Sequence, residues 1–393
     1  MISFLKKISL NKELKTVSNN FISLSILQML NIFLPLLILP FLVNKLGLES
    51  FGLLIFSQVL VAYFKLVVDY GFNITATREI SKHKNNKEYI SKVFYSTFFI
   101  KLFLLIFSII LFSIIIFSFE LFSKNYMFHY ITFSMIIGQM LFPTWYFQGI
   151  ENMKMITILN VIIKTIYTIM IFMFITTSED LIYVTAFNSL SFIIVGVIAF
   201  FIAAKGLKFE NIDIYFTKSF FKESTTVFIS NFFSSMYGLT NSFLLGIFTN
   251  NILVGIYGSF EKIITALKGL YFPFYQALFP YISRKENKKA IIKKLIIPMG
   301  LTGFIMMILF SVFSTFIINL IFSNDELIKN IDYFKYMTII PFLGSINMLF
   351  NFLYVREKVM DREDKKLLIE NLKVQIDVIH KKLLFFYGAV TGS

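Results

Sequence analysis

The sequence predicts an all-α polytopic membrane protein with about ten transmembrane helices in two pseudo-repeated lobes. Of its 393 residues, 57% are hydrophobic and only 15% are charged, whereas an ordinary soluble domain has about 25% charged residues. The apolar residues gather in runs of about 20, the length that crosses a bilayer as a helix. Basic residues concentrate in alternate loops, as the positive-inside rule requires. Together these observations exclude a soluble enzyme, a nucleic-acid-binding domain and a disordered chain.

Ten apolar segments are candidates for spans, since lipid offers no hydrogen-bonding partner to an open backbone. Five contain no Asp, Glu, Lys or Arg: residues 21–43, 128–149, 182–204, 225–248 and 295–322. Five more are apolar but carry one or more charges: residues 51–68, 93–119, 155–175, 252–280 and 333–355. Prolines such as Pro143 lie in or beside these segments, and membrane helices tolerate the kinks they cause.

The loops predict a cytoplasmic N-terminus. With ten spans, the segment before the first span and the loops on its side contain 20 Lys and Arg residues, and the opposite loops contain 3. The positive side faces the cytoplasm, so both termini are expected there. All loops on the opposite side are short, which argues against a glycan polymerase with a large catalytic loop outside the membrane.

An internal repeat relates the two halves of the chain. At a shift of 203 residues, Gly52 falls on Gly255, Gln58 on Glu261, and Lys65 on Lys268. Parallel repeats of this kind are a known transporter architecture. The second half is shorter than the first, so the chain is expected to lack the last two of twelve spans. The predicted parts are a cytoplasmic N-terminus (1–18), an N-lobe of six helices (19–204) and a cytoplasmic inter-lobe loop (205–224). An incomplete C-lobe of four helices (225–355) and a charged cytoplasmic or interfacial tail (356–393) follow.

Polar residues inside the spans predict a net cationic cavity. Charges in hydrocarbon are costly and usually face a cavity or a partner, and an excess of Lys over acidic residues attracts anions. The alternative is that lysines near span ends extend to the lipid headgroups, which is as plausible for Lys262 and Lys335. The predicted cavity residues are Lys65, Lys268, Lys101, Lys164, Gln58, Asn31, Asn160 and Asn231.

Two acidic residues within or at the end of spans are candidates for ion coupling. Asp69 lies one turn after Lys65, so the two side chains can pair, and Glu261 shares a face with Lys268. Either carboxylate could bind a coupling proton or sodium ion, or simply neutralise a neighbouring Lys. The sequence has no Cys and only three His, so we expect no metal site, no catalytic residue and no cofactor.

Two stretches of the sequence contain distinctive strings. The first comprises LGLESFG (46–52), DYGFN (69–73) and TATREIS (75–81), and the second is FPTWYFQGIENM (142–153). Both resemble the oligosaccharide (O-antigen, Wzx-type) flippases, a polysaccharide transporter family of the multidrug/oligosaccharidyl-lipid/polysaccharide exporter superfamily. The resemblance covers roughly residues 15–355. Interfacial anchoring and helix packing are the expected roles of six residues in these strings: Pro143, Trp145, Gln148, Gly149, Glu151 and Arg78.

The resemblance implies a flippase that moves undecaprenyl-diphosphate-linked oligosaccharide from the inner to the outer leaflet of a bacterial cytoplasmic membrane by alternating access. Its implied partners are the lipid-linked glycan, the bilayer, and the glycan polymerase and chain-length machinery, with no nucleic acid. Three alternatives stay open. A drug or metabolite antiporter of the same superfamily would favour acidic cavity residues. A membrane glycosyltransferase or polymerase would need a clustered acidic site. The third alternative is a truncated, inactive or fused flippase.

Overall fold

The computed structural model describes residues 2–209, 213–271 and 288–354, and all regular structure within them is helical. This confirms the predicted all-α class. Besides a short 3-10 turn at Ser178–Asp180, the helices are α1 (Ile2–Asp69), α2 (Phe72–Lys82), α3 (Lys87–Ser118), α4 (Glu120–Ser123), α5 (Tyr126–Leu141), α6 (Thr144–Gly149), α7 (Met153–Phe174), α8 (Leu181–Ala204), α9 (Ile214–Phe248), α10 (Asn251–Gly269), α11 (Lys288–Val312), α12 (Ser314–Phe322), α13 (Asp325–Lys329), α14 (Ile331–Met337) and α15 (Ile339–Tyr354).

Several of these helices are suited to a membrane. Among the described residues, four helical stretches are long and apolar enough to cross one: Ser25–Lys82, Lys87–Ser118, Met153–Phe174 and Ser178–Ala204. A fifth is obtained if the helices on either side of Phe313 count as one span. Ten crossings and the side of each terminus therefore stay predictions. The end of the predicted eighth span and the charged tail lie outside the described residues.

Several predicted spans are interrupted. The helix over the predicted span 128–149 is broken at the proline expected to kink it, because α5 ends at Leu141 and α6 begins at Thr144. Pro143 stands between them, and a proline has no N–H to continue the helical hydrogen bonds. The first two predicted spans, in contrast, are joined within α1, where Gly47 alone leaves helical geometry with φ 74° and ψ 165°. A positive φ of this size favours glycine over every other residue.

The predicted inter-lobe loop contains the beginning of a helix. α9 starts at Ile214, eleven residues before the predicted span 225–248. Asp213 caps it, because its carboxylate accepts a hydrogen bond from the backbone N–H of Phe216 at 3.0 Å, which satisfies one of the free donors of a helix N-terminus. The first turns of α9 thereby extend beyond the apolar run.

The chain divides into two compact units. The first contains Met1–Gly269 and Phe310–Thr338, and the second contains Leu270–Leu309 and Ile339–Ser393. Within the second unit, the rings of Phe304 and Phe342 lie 6.0 Å apart. The first unit holds the polar features described below.

The part of α1 after Gly47 crosses α10 at two glycines. A Cβ atom added to Gly52 would overlap the carbonyl oxygen of Asn251 and lie 2.9 Å from the nitrogen of Gly255. A Cβ atom added to Gly255 would overlap the carbonyl oxygen of Leu48 and lie 3.3 Å from the nitrogen of Gly52. The contact is reciprocal, as at the interface of a two-fold dimer, and the two halves of it differ by the same 203 residues as the sequence repeat. The packing therefore supports an internal repeat.

Candidate functional site

The first unit encloses a cavity of about 240 Å³ between α1, α7, α8 and α10. One part of its wall is polar and consists of Gln58, Asn160, Lys164, Tyr167, Thr168, Asn188 and Lys262. The remainder is apolar and consists of Leu34, Pro35, Ile38, Leu39, Leu42, Phe51, Leu54, Ile55, Ile163 and Phe192. A polar site inside an apolar helical protein is the natural place to look for a bound solute.

One face of α7 supplies most of the polar wall. Asn160, Lys164 and Thr168 follow one another at intervals of four residues, which places them on one side of a helix. All three line the cavity. The register of α7 is set at its start, where the side chain of Asn152 accepts a hydrogen bond from the backbone N–H of Met155 at 3.3 Å. The stripe read from the sequence is thus a single surface in the fold.

The charge of the cavity is positive. Lys164 comes from α7 and Lys262 from α10, and the described residues that line the cavity include no Asp or Glu. Two ammonium groups without a carboxylate in the same wall attract anions.

The structure places only part of the predicted cavity set in this cavity. Gln58, Asn160 and Lys164 line it. The other five lie elsewhere: Lys65 and Asn231 are half-buried, Lys268 and Asn31 are exposed, and Lys101 is buried.

Lys101 is the ion-pair partner of Asp69. Its Nζ lies 2.9 Å from Asp69 Oδ1, and the Lys101 side chain is only 3% exposed. The pairing of Lys65 with Asp69, predicted from their spacing, does not occur, because α3 packs against α1 and brings Lys101 to the carboxylate. The second acidic candidate, Glu261, accepts a hydrogen bond from the Ser242 hydroxyl at 3.1 Å.

The sequence-based prediction of the cavity does not include three polar residues of its wall. For Lys262, contact with lipid headgroups was as plausible as a place in the cavity. Tyr167 and Asn188 carry no local signal, since only the packing of α7 against α8 brings them to one space. The stripe on α7 could have pointed to Tyr167, which adjoins Thr168, but not to Asn188.

The two family-like strings pack against each other. The Thr77 hydroxyl donates to the carbonyl oxygen of Trp145 at 3.1 Å and to Gln148 Oε1 at 3.4 Å. Trp145 is only 2% exposed and its ring lies 5.4 Å from that of Phe94. Trp145 therefore packs among neighbouring helices and does not stand exposed at the protein surface, while its place relative to the membrane interface stays a prediction.

The other residues of the strings fit this packing role. A Cβ atom on Gly149 would lie 2.6 Å from the Ile80 side chain, so only glycine allows α2 and α6 to approach so closely. Glu151 has a left-handed φ of 61° and pairs with Lys84. Pro143 precedes α6, as described above.

A carboxylate near the end of α2 gathers several donors. Glu79 accepts hydrogen bonds from the Tyr89 hydroxyl at 3.0 Å, from Lys82 Nζ at 3.2 Å and from Arg78 Nε at 3.3 Å. Burial raises the pKa of Glu79, but the hydrogen bonds from Lys82, Tyr89 and Arg78 outweigh it and leave this pKa below its ordinary value. Burial and the bond to Glu79 raise the pKa of Tyr89 to about 12. The carboxylate is therefore ionised at neutral pH.

Fold and cavity together define an apolar, all-helical membrane protein with an internal cationic site. Residues 17–286 match the family described as "Polysaccharide biosynthesis protein". Because this match covers more than half of the chain, the chain belongs to that family.

Two curated relatives are both named "Putative O-antigen transporter". The first, from Escherichia coli (strain K12), is 26% identical over 276 residues, which is 70% of this chain and 66% of the relative. The second, from Shigella dysenteriae, is 25% identical over 274 residues, which is 69% of this chain and 68% of the relative. The chain thus spans about two thirds of the length of the relatives it matches. No solved structure matches it.

Proposed function

We propose that the chain is a membrane transporter rather than an enzyme, and that it moves a lipid-linked oligosaccharide from the inner to the outer leaflet of a bacterial cytoplasmic membrane. The proposed carrier is undecaprenyl diphosphate. Membership of the polysaccharide biosynthesis family and the transporter names of the two relatives support this function. The observation that carries it is the cavity with two lysines and no described carboxylate.

The chemistry of the wall suits a glycan diphosphate. Lys164 and Lys262 would act as point charges on the diphosphate. The amides of Asn160, Asn188 and Gln58 have both donors and acceptors, as sugar hydroxyl groups require. The polyprenyl chain would stay in the bilayer, where burying its methylene groups costs nothing.

The size of the cavity favours alternating access. Its volume of about 240 Å³ is below the range of about 300–1,000 Å³ that drug-sized ligands occupy. The cavity is half open, and a diphosphate is smaller than this volume, whereas a whole repeat unit exceeds it. We infer that passage of a repeat unit needs a wider state in which the two lobes separate. The proposed arrangement has ten spans with both termini in the cytoplasm, and a glycan polymerase and chain-length machinery receive the product.

The two carboxylates differ as candidates for ion coupling. Asp69 is already neutralised by Lys101. Glu261 accepts a hydrogen bond from the Ser242 hydroxyl and has the charges of Lys262 and Lys268 nearby, but no salt bridge to it is found among the described residues. We therefore favour Glu261 as the site of a coupling proton or sodium ion.

Charge removal in the cavity tests the proposed function. In a strain that lacks its own O-antigen flippase, the double variant Lys164→Gln and Lys262→Gln should reduce surface glycan at least about tenfold at equal protein levels, since a charged hydrogen bond contributes about 1.5–3 kcal/mol. Lys154→Gln is the matched control, because Lys154 lies on α7 but is exposed and outside the cavity. Normal glycan from the double variant would remove this cavity from the pathway.

The same assay decides the separate prediction for Lys65 and Lys268, which lie outside the cavity. Replacing both with Gln should lower glycan export if an open state brings them to the substrate. Unchanged export would exclude both residues. A change in drug resistance with unchanged glycan would favour the antiporter alternative.

A further inference from the structure

The end of α1 forms a strained turn. Tyr70 has a left-handed φ of 43° and Gly71 a φ of 77°. Non-glycine residues rarely adopt this geometry, and it persists only where the surroundings hold it. The DYGFN string therefore places Tyr70 in a conformation that its contacts must stabilise.

The contacts of Tyr70 come from α9. Its ring lies between Phe221 and Phe228, with centroid distances of 4.4 Å and 4.5 Å and interplanar angles of 10° and 11°. Its hydroxyl lies 3.1 Å from Thr225 Oγ1. Phe221, Thr225 and Phe228 of α9 thus contact both faces of the Tyr70 ring and its hydroxyl group. Tyr70 is only 8% exposed.

Further contacts extend this packing in both directions. The hydroxyls of Thr75 and Ser224 are buried and lie 2.8 Å apart, and those of Ser96 and Thr217 lie 3.0 Å apart. We call this surface the Tyr70 seam; on one side it comprises the end of α1, α2 and the start of α3, and on the other residues 213–228. Its other contacts include Phe72 with Phe220, Phe216 with Tyr89 and Lys92, and the ion pairs Lys92–Asp213 and Arg78–Glu223.

The position of the seam relates it to the cavity. Tyr70 follows Gln58, a cavity residue, by twelve positions, which corresponds to about 18 Å along a helix. The lysine-rich loop of residues 70–92 belongs to the seam, so the positive-inside rule places the seam at the cytoplasmic end of α1. The seam joins the end of the predicted second span to the helix that begins the predicted C-lobe. The seam is therefore expected between the cytoplasm and the cavity.

The composition of the seam allows it to open. Its contacts are stacked rings, hydroxyl pairs and half-exposed ion pairs, together with one close approach, where a Cβ atom on Gly71 would lie 2.8 Å from the Val227 side chain. Water can satisfy each of these polar groups after separation, so opening leaves no buried unpaired charge. The turn at Tyr70 and Gly71 is a short segment whose φ and ψ can absorb such a movement.

We propose that the Tyr70 seam is the cytoplasmic gate of the transporter, that it is closed in this structure, and that Tyr70 is the residue that holds it closed. This inference rests on the proposed function, but the state of the gate can be measured without transport. The gate must separate before a lipid-linked anion reaches Lys164 and Lys262.

Spin labels test whether Tyr70 holds the seam. The chain has no native Cys, so Ser81→Cys and Lys222→Cys, two exposed positions on opposite sides of the seam, can be labelled alone. In the full-length protein in lipid nanodiscs, pulsed electron spin resonance should show one short distance. Tyr70→Ala should add a longer one and raise the open-to-closed ratio at least about fivefold, because two stacked aromatic pairs are lost.

Two variants serve as controls for this measurement. Tyr70→Phe retains both stacked pairs and should keep the short distance. Tyr183→Ala removes an exposed tyrosine that stacks on Phe187 away from the seam and should also have no effect. An unchanged distance distribution in folded Tyr70→Ala protein would overturn the role of Tyr70.

A disulfide tests whether the seam must open. The Thr75 and Ser224 hydroxyl oxygens lie 2.8 Å apart across the seam, so we choose Thr75→Cys with Ser224→Cys as the pair to cross-link. In proteoliposomes, with fluorescent undecaprenyl-diphosphate-linked N-acetylglucosamine as the probe, oxidation should abolish transfer between leaflets and a reductant should restore it. Neither single variant should respond to oxidation.

Undiminished transfer by fully cross-linked protein would overturn the gate. If the reduced protein and the unmodified chain both fail to move the probe, the proposed function fails for this substrate. The spin-label distances then still decide whether the seam opens.

Discussion

The helical segment from Leu48 to Asp69 contacts the second half of the chain at both of its ends, by different means. At Gly52 the backbones of two helices meet, and there is no room for a methyl group on either side. At the other end, beside Tyr70, the contacts are made by rings, hydroxyls and ion pairs, and the close approach at Gly71 is to the side chain of Val227 at 2.8 Å rather than an overlap with a carbonyl oxygen. Close backbone contact at small residues is the usual way in which helices associate in lipid, and it loses its packing energy after a small displacement. The difference indicates that Gly52 marks a tight crossing and Tyr70 a surface that separates.

The two ends also differ in symmetry. The glycine crossing is reciprocal and follows the sequence repeat, since Gly52 and Gly255 are equivalent positions. The same shift of 203 residues takes Tyr70 to Pro273, which cannot supply an aromatic ring or a hydroxyl. The repeat is therefore not maintained in the sequence at the seam. A gate on one side of the membrane needs an asymmetric contact, which agrees with this loss.

The largest effect is expected at the crossing. Gly52→Ala places a Cβ atom where the Asn251 carbonyl oxygen now lies, and overpacking in a rigid contact costs about 3 kcal/mol or more. We expect a much lower yield of folded protein and a lower midpoint of thermal unfolding in detergent. Gly238→Ala is the control, because Gly238 on α9 has no atom within 4 Å of such a Cβ. Equal stability of the two variants would show that the crossing is not tightly packed.

A smaller effect is expected from the ion pair beside the seam. Lys101→Met leaves the Asp69 carboxylate without its cation. Breaking a fully buried pair costs about 3–5 kcal/mol, and because Asp69 is 22% exposed we expect about 2 kcal/mol. Thermal unfolding in detergent measures this loss. The double variant Lys101→Met with Asp69→Asn should regain most of it, since no charge is then left unpaired. Additive losses in the double variant would contradict a direct interaction.

The sequence predicts these regions to different extents. Helices and the stripe of Asn160, Lys164 and Thr168 follow from apolar runs and four-residue spacing, which are local properties. The partner of Asp69 does not, because α3 supplies Lys101 from 32 residues away while the local rule favoured Lys65. The cavity wall needs the same tertiary information for Asn188.

The smaller features of the strings illustrate the same limit. Tryptophan is enriched at membrane interfaces, yet Trp145 is buried because α6 packs against α2. The aromatic contacts of Tyr70 cannot be predicted from the sequence either. Phe221 and Phe228 are two of 51 phenylalanines in the chain, so composition gives no reason to single them out.

The smallest effect is expected at the charged rim of the seam. Arg78 pairs with Glu223, and both side chains are nearly half exposed, at 43% and 48%. An exposed pair contributes about 1 kcal/mol or less, and salt screens it further. Arg78→Gln should therefore lower the free energy of unfolding only slightly in low salt and leave the Ser81–Lys222 spin-label distance short. Glu79 stays ionised in this variant at neutral pH, because Lys82 and Tyr89 still donate to it.

The pH dependence of this rim has a definite sign. Since the folded protein holds the pKa of Glu79 below its ordinary value, the stability that this carboxylate contributes is present above the ordinary pKa and is lost as the pH falls through the lowered one.

Salt tests the Arg78 variant. Unfolding midpoints of Arg78→Gln and the unmodified chain, compared in low and high salt at neutral pH, should converge as salt increases. A loss as large as that of Tyr70→Ala, or one that persists in high salt, would mean that charge rather than aromatic packing holds the seam closed. The ion pair of Arg78 and Glu223, rather than the stacked rings of Tyr70, would then distinguish the seam from the tightly packed glycine crossing.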